Sequence, residues 1–78
     1  MNLRLPVLIT GASGFVGACL AHRLVELVSD VHLLDYPGTP DWRIRDIASR
    51  VTLHPLDITD AKAVEQAIAR IKPRTIFH

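Results

Sequence analysis

Short apolar runs alternate along the chain with longer segments in which apolar residues recur every three or four positions. The runs cover residues 5–10, 31–35, 51–56 and 74–78, and each is short and bounded by turn-forming residues. This pattern is typical of strands that are buried in a sheet. Pro6 fits only near the start of the first strand, because proline donates no hydrogen bond to a neighbouring strand. The pattern predicts four strands.

The segments before the second and fourth strands have the period of amphipathic helices. The apolar stripe of the first comprises Val16, Leu20, Leu24, Leu27 and Val28, and that of the second comprises Val64, Ala67, Ile68 and Ile71. Thr59 or Asp60 can cap the second helix, and Pro73 follows its end. Between the second and third strands, a loop rich in proline and glycine precedes a short helix, on which Trp42 is predicted to pack rather than over a ligand pocket or an interface.

Alternating strands and helices predict the α/β class, with a parallel sheet, right-handed crossovers and helices on the faces of the sheet. Four strands in 78 residues correspond to the N-terminal half of a Rossmann-type doubly wound sheet. The chain is too short for more than one domain. We therefore assign residues 1–78 to a single, partial Rossmann domain.

Composition excludes several classes of protein. Hydrophobic residues make up 49% of the chain, charged residues 22%, and the formal net charge is +1, which predicts a soluble globular protein with no nucleic-acid partner. The first residues contain only a five-residue apolar run, too short for a signal peptide or a membrane span, so we expect a cytoplasmic protein.

Cys19 is the only cysteine and is expected to pack as a small apolar residue. The histidines show neither metal-ligand spacing nor an acidic partner nearby in sequence, so no metal or catalytic role is predicted for them.

The stretch TGASGFVG, residues 10–17, places three glycines between the first strand and the first helix. Ligands of open parallel sheets bind outside the carboxyl ends of the strands, and free N–H groups at a helix N-terminus bind phosphate without a cationic side chain. The stretch lacks the Gly-Lys ending of a P-loop. It predicts a dinucleotide pyrophosphate site, with Gly11 for the turn, Gly14 for close approach to phosphate and Gly17 for helix packing. The alternative is a glycine-rich connection without a ligand.

Asp35 ends the second strand, 18 residues after Gly17. A carboxylate at this position can accept hydrogen bonds from both hydroxyls of an adenosine ribose and repel a 2′-phosphate, which favours NAD over NADP. The alternative is a solvated aspartate that starts a turn before Pro37. Arg43 and Arg45 keep NADP open as the less favoured cofactor, because an arginine that folds back from this loop can accommodate the 2′-phosphate.

TGASGFVG, LLDY at the second strand, HPLDITD around Asp57 and the final KPRTIFH form a set of motifs along the chain. The first resembles the TGxxGxxG signature of the short-chain dehydrogenase/reductase superfamily. Together with Phe15, the set resembles the extended branch of that superfamily, the NAD-dependent epimerase/dehydratase family acting on nucleotide sugars. The resemblance covers essentially all 78 residues and specifies no substrate.

The resemblance implies cofactor contacts for residues in three segments. These are Gly11, Ser13, Gly14, Phe15, Val16 and Gly17 at the pyrophosphate, Asp35 and Tyr36 at the adenosine ribose, and Asp57 and Ile58 at the adenine. From the residues alone, Asp57 is instead a helix-entry residue before Asp60. The resemblance favours the adenine contact, in which the carboxylate accepts from the exocyclic amine.

The family's catalytic tyrosine and lysine, spaced as YxxxK, do not occur in this chain, since its one tyrosine, Tyr36, is followed four residues later by Pro40. We therefore expect an inactive N-terminal fragment of a longer NAD-dependent epimerase, dehydratase or reductase. The nucleotide-sugar substrate and a homodimer partner would bind elsewhere in that enzyme. Two alternatives are a non-catalytic dinucleotide-binding redox sensor and a truncated chain without independent function.

Overall fold

The computed structural model describes residues 3–78. Its elements in chain order are strand β1 (Val7–Thr10), helix α1 (Phe15–Leu27), strand β2 (Val31–Asp35), a 3-10 helix (Arg45–Arg50), strand β3 (Val51–Pro55), helix α2 (Ala61–Ile71) and strand β4 (Thr75–Phe77). All four predicted strands and both predicted helices are present, with ends that differ by no more than two residues for each strand. Residues 1 and 2, part of the predicted domain 1–78, lie outside the described residues.

The four strands form one parallel sheet in the order β3-β2-β1-β4. Val7 of β1 lies beside Val31 of β2 on one side and Thr75 of β4 on the other. The chain moves outward from β1 through β2 to β3 and then crosses back to place β4 on the opposite side of β1. This is the Rossmann-type half-sheet that the alternation of elements predicts, and it places the turns after the strands along one edge.

The two faces of the sheet bury two separate apolar clusters, because successive strand side chains point to opposite faces. On one face, β1 and β2 pack against α1 and the 3-10 helix, and the buried strand residues are Val7, Ile9, Val31 and Leu33. On the other face, Leu8 and Leu34 pack against Ala67 and Ile71 of α2. Both faces of the central strands are therefore covered, as parallel sheets require.

Helix α1 packs on the sheet through smaller residues than its sequence pattern predicts. Val16 and Leu27, both placed on the apolar stripe, are 77% and 42% exposed, whereas Ala18 and Ala21 are buried. At its start the helix lies so close to the turn after β1 that alanines fill the space, whereas further along the helix Leu24 of the predicted stripe is buried as expected. Cys19 is exposed, so its predicted packing role is wrong for the same reason.

Helix α2 begins and ends at residues with specific local chemistry. The Asp60 carboxylate accepts a hydrogen bond from the Ala63 N–H at 3.2 Å, which confirms Asp60 as the N-cap. Lys72 adopts a left-handed conformation with a φ of 52° and ends the helix immediately before Pro73. Within residues 3–78, no helix is long and apolar enough to cross a membrane.

The short helix predicted before β3 is the 3-10 helix Arg45–Arg50, and Ile44 and Ile47 are buried there. Trp42 is 60% exposed, and the Arg43 guanidinium lies over its ring at 4.3 Å from the centroid. The predicted packing role of Trp42 is therefore wrong. A turn in which the Ile44 N–H donates to the Asp41 carbonyl at 2.9 Å brings Ile44, and not Trp42, into the core.

Two histidines meet on the face of the sheet that α2 covers. His32 Nδ1 lies 2.8 Å from His54 Nε2, and His32 Nε2 lies 2.8 Å from an Asp30 carboxylate oxygen. The expectation that no acidic residue near in sequence partners a histidine is therefore wrong for His32. Asp30, with a φ of 57°, forms the turn before β2, and this turn brings its side chain back onto the strand.

Candidate functional site

The turn after β1 leaves the strand through a left-handed residue. Gly11 has a φ of 63°, and its N–H donates to the Leu34 carbonyl of β2 at 2.9 Å. Side chains are strained in this conformation, whereas glycine is not. The predicted role of Gly11 in the turn is therefore confirmed, and its bond to Leu34 anchors the start of the turn to the neighbouring strand.

Gly17 lets helix α1 lie directly on this turn. A Cβ atom added at Gly17 would collide with the Gly11 carbonyl oxygen and lie 2.9 Å from the Ala12 Cα. Both contacts are to backbone, which cannot move aside as a side chain can. The packing role predicted for Gly17 is therefore confirmed. At Gly14 an added Cβ would meet only the Gly11 carbonyl oxygen, at 3.3 Å.

The N-terminus of α1 carries N–H groups without acceptors in the helix. The first helical bond runs from the Ala18 N–H to the Gly14 carbonyl at 2.9 Å, so the N–H groups of Phe15, Val16 and Gly17 precede the hydrogen-bonded ladder. No side chain caps this end, and its first turn contains no acidic residue. The dipole of the helix adds partial positive charge here, so the arrangement can bind an anion.

The Asp35 carboxylate joins the glycine turn to the end of β2. One oxygen accepts from the Ser13 N–H at 2.6 Å and the other accepts from the Tyr36 N–H at 2.8 Å. This anchoring role had no signal in the sequence, because the contact depends on how β1 and β2 pair. Each carboxylate oxygen has a second lone pair and can accept a further hydrogen bond.

Ser13 and Gly14 differ from the three residues that follow them. The Ser13 N–H already donates to Asp35, and the Gly14 N–H donates to the Gly11 carbonyl at 3.1 Å. Ser13 is also buried, at 4% exposure. Among the residues predicted at the pyrophosphate, the N–H groups that lack partners therefore belong to Phe15, Val16 and Gly17.

Two cavities lie on either side of Gly11 at the carboxyl edge of the sheet. The smaller, of about 110 Å³, is lined by residues that include Asp35, Tyr36, Leu56 and Ile58. The larger, of about 400 Å³, is lined by residues that include Thr10, Gly14, Val16, Gly17 and His78. Gly11 lines both, so an elongated ligand can cross the glycine turn from one cavity to the other.

Asp57 lies beside the smaller cavity without lining it. The hydroxyl and N–H of Thr59 both donate to Asp57 Oδ1, at 2.7 and 2.9 Å, and these two bonds lower the pKa of the Asp57 carboxyl. This is the helix-entry contact that the residues alone indicate. Because both bonds use Oδ1, the second oxygen, Oδ2, is left for another donor. Asp35, Tyr36 and Ile58 do meet at the cavity.

Thr10 and His78 were not among the predicted site residues. The Thr10 hydroxyl lies 2.7 Å from His78 Nδ1, which links the carboxyl ends of β1 and β4 at the edge of the larger cavity. His78 follows the last strand directly. A polar residue at this position of a parallel sheet could have been predicted as a site residue from the sequence.

Comparison with known proteins identifies the family. The family model described as NAD dependent epimerase/dehydratase family matches residues 7–78. The short chain dehydrogenases/reductase notP' of Aspergillus versicolor is 39% identical to this chain over an alignment covering 86% of the chain and 26% of that protein.

Two solved structures share the fold. The UDP-glucose 4-epimerase of Thermus thermophilus in complex with NAD has a TM-score of 0.76 and 27% identity, covering 90% of this chain and 22% of that one. The UDP-glucose 4-epimerase of Thermotoga maritima with UDP-glucose has a TM-score of 0.77 at 22% identity, covering 92% and 23%.

The chain spans about a quarter of the length of these relatives. The glycine turn, Asp35 and the two cavities all lie within the segment that the family model matches, residues 7–78. The resemblance seen in the sequence motifs is confirmed: this chain belongs to the NAD-dependent epimerase/dehydratase family, a family of enzymes within the short-chain dehydrogenases/reductases.

Proposed function

We propose that this chain binds the adenosine diphosphate half of NAD across the glycine turn, as the cofactor-binding part of a nucleotide-sugar epimerase, dehydratase or reductase. The observation that carries the proposal is the set of three N–H groups without helical acceptors, of Phe15, Val16 and Gly17, at the N-terminus of α1. Val16 and Gly17 line the larger cavity, and Gly11, which starts the same turn, lines both that cavity and the smaller one at Asp35.

The donor set of the turn fits a pyrophosphate. A pyrophosphate accepts hydrogen bonds only, and the three N–H groups of Phe15, Val16 and Gly17 donate only. The partial positive charge of the helix end offsets part of the phosphate charge, so no lysine or arginine is needed in the turn. Gly11, Ser13 and Gly14 would shape this surface, because their own backbone bonds hold the turn in place.

The residues around the smaller cavity offer contacts for the adenosine. Asp35 would accept hydrogen bonds from the ribose hydroxyls through its remaining lone pairs, with Tyr36 beside it. Ile58, which is 45% exposed, would contact one face of the adenine. Oδ2 of Asp57 would accept from the exocyclic amine, because Thr59 uses only the other oxygen.

Asp35 favours NAD over NADP in this proposal, because its negative charge would repel a 2′-phosphate. One observation supports NADP as a second candidate. The Arg43 guanidinium folds back to the glycine turn and donates to the Ser13 carbonyl at 3.4 Å, so a cation lies near the ribose side of the site. Arg45 is less suited, because it pairs with Asp41 at 3.4 Å.

The reaction itself is proposed for a protein of the relatives' length. NAD, when bound, would supply hydride transfer with a carbon of the substrate, and the proton would be taken by a tyrosine of a YxxxK motif that this chain does not contain. The chain alone would therefore bind cofactor without catalysis.

A nucleotide sugar is proposed as the substrate on the basis of the family and the UDP-glucose 4-epimerases of similar fold. We further propose a cytoplasmic location, on the basis of the composition and the short N-terminal apolar run, and a homodimer only for a protein of the relatives' length.

The proposal is tested by calorimetric titration of the folded chain with NAD, ADP and NADP. We expect NAD and ADP to bind with similar affinity, since both carry the groups that the site contacts, and NADP to bind more weakly. Replacing Asp35 with Asn removes the charge and should bring the affinity for NADP closer to that for NAD by about tenfold, the scale of one screened charge pair. No binding of NAD or ADP by the folded chain would contradict the proposal.

A matched pair of variants checks the position of the ligand. Ile58→Ser alters a residue that lines the smaller cavity, whereas Ile76→Ser alters an isoleucine of similar exposure, 52% against 45%, that lines neither cavity. We expect ADP affinity to fall about threefold to tenfold in the first variant, the scale expected when one apolar side chain no longer covers a ligand. Affinity should stay unchanged in the second. Equal effects of both would place the adenine elsewhere.

A further inference from the structure

Four polar side chains form a continuous hydrogen-bonded chain on the face of the sheet that α2 covers. It runs from Asp30 in the turn before β2, through His32 of β2 and His54 of β3, to Arg70 of α2. The distances are 2.8 Å from Asp30 to His32, 2.8 Å between the two imidazoles and 3.4 Å from His54 to Arg70. The two imidazole rings lie edge to edge, with centroids 5.1 Å apart and planes 24° from parallel.

The two end members of this hydrogen-bonded series, Asp30 and Arg70, determine which nitrogens carry the hydrogens. The Asp30 carboxylate only accepts, so His32 Nε2 carries a hydrogen and donates to it. The Arg70 guanidinium only donates, so His54 Nδ1 is the acceptor. In a neutral imidazole the other nitrogen then has the opposite role, and His54 Nε2–H donates to His32 Nδ1. All four ring nitrogens are paired when both histidines are neutral and carry their hydrogen on Nε2.

We propose that the side chains of Asp30, His32, His54 and Arg70 form a pH-sensitive clasp that joins β2, β3 and α2 when both histidines are neutral and opens when either is protonated. A proton added to His32 Nδ1 would face the N–H of His54. A proton added to His54 Nδ1 would face the Arg70 guanidinium. Changing the tautomer of His54 relieves the first conflict only by creating the second. No arrangement with a protonated histidine keeps all three bonds.

The charges around the clasp act in the same direction at His54. Burial, then His32, then the Arg70 cation lower the pKa of His54 below its ordinary value of 6.5. The folded state therefore binds this proton less tightly than the unfolded state does. The stability that the neutral clasp contributes is present in full above about pH 6.5 and decreases as the pH falls below it, because the unfolded chain then takes up more protons.

The clasp lies next to one of the turns of the candidate site. His54 is followed after Pro55 by Leu56, whose N–H donates to the Asp35 carbonyl at 2.8 Å, and by the loop that carries Asp57 and Ile58. Opening the clasp would loosen the position of this loop relative to β2. Weaker adenosine binding in acid would follow, a consequence that rests on the proposed function, whereas the clasp itself does not.

Nitrogen-15 NMR of the histidine side chains tests the clasp directly in the unaltered chain. At pH 7.5 we expect His32 and His54 to be neutral and to carry their hydrogen on Nε2, and we expect both resonances to change together as the pH is lowered through the opening of the clasp. A hydrogen on Nδ1 of either ring at pH 7.5, or independent titration of the two rings, would overturn the proposal.

The pH dependence of unfolding gives a second readout. We expect the unfolding equilibrium constant of the unaltered chain to rise several-fold more between pH 7.5 and pH 5.5 than that of His54→Gln, whose amide cannot take up the proton. His22→Gln is the matched control, because His22 contacts the Arg43 carbonyl on the opposite face of the sheet, at 2.7 Å. Its dependence on pH should follow that of the unaltered chain. Equal slopes for His54→Gln and the unaltered chain would overturn the clasp.

Discussion

The turn after β1 and the turn after β3 both connect a strand to a helix, but different interactions stabilise them. Each leads from the carboxyl end of a parallel strand into a helix at the same edge of the sheet. The first turn, residues 11–14, is held by backbone bonds and by Asp35, and no side chain caps the helix that follows. The second turn, residues 56–60, has backbone bonds of its own, but the side chains of Asp57 and Thr59 also hold it, and the Asp60 carboxylate caps α2.

The two helices differ in whether their first N–H groups have a side-chain acceptor. A capping carboxylate satisfies an N–H group and contributes about 1 kcal/mol, and α2 gains this stability. Helix α1 lacks the cap, so its first N–H groups have no side-chain acceptor and can bind a ligand anion. In the site we propose, recognition by backbone N–H groups at the first turn requires close approach and therefore glycine, whereas recognition by side chains at the second turn does not.

The largest expected effect is that of Gly17→Ala. The added methyl group would collide with the Gly11 carbonyl oxygen and approach the Ala12 Cα, so the turn or the helix must move. We expect a loss of about 2–3 kcal/mol in the free energy of unfolding, at the upper end of the range for overpacked sites. Urea-induced unfolding measures this loss.

Gly14→Ala is the matched control for that substitution. Its φ of −74° is allowed for alanine, and the added methyl group would lie 3.3 Å from one carbonyl oxygen. We expect a loss below about 1 kcal/mol, because a shift of a few tenths of an ångström relieves the contact. Equal losses at the two positions would show that glycine is not required at position 17 by the close contact of α1 with the turn.

Asp60→Ala tests the second turn and should have a smaller effect. The substitution removes the acceptor of the Ala63 N–H and leaves the first turn unchanged. We expect a loss of about 1 kcal/mol in the free energy of unfolding, typical of an N-cap. In the site we propose, ADP affinity should change little, because Asp60 lines neither cavity. A large loss of affinity would show that the two turns are coupled.

The smallest effect concerns the pH dependence at Asp57. The Thr59 hydroxyl, then the Thr59 N–H, lower the pKa of this carboxyl from its ordinary value of 3.8. Its contribution is therefore present above about pH 4 and is lost as the pH falls through the lowered pKa. Asp57→Asn should lose less stability than the unaltered chain in an acid titration followed by circular dichroism. Identical acid transitions would show that the two bonds to Thr59 contribute no measurable stability.

The sequence determined the order of elements and the chemistry of the glycine turn. Apolar runs of strand length and helical periods predicted all four strands and both helices, and the spacing of Gly11, Gly14 and Gly17 predicted the turn between β1 and α1. These features are local, because periodicity, glycine and the capping aspartate act over a few residues. The N-cap at Asp60 and the family resemblance were readable for the same reason.

The tertiary structure alone decided which faces and which partners those elements use. The close approach of α1 to β1 turned Ala18 and Ala21 inward and left Val16 exposed, which periodicity could not show. Strand pairing brought Asp35 to Ser13 and His32 to His54, each across 22 residues of chain. Such contacts depend on strand order and register, which the pattern of residues along the chain does not specify.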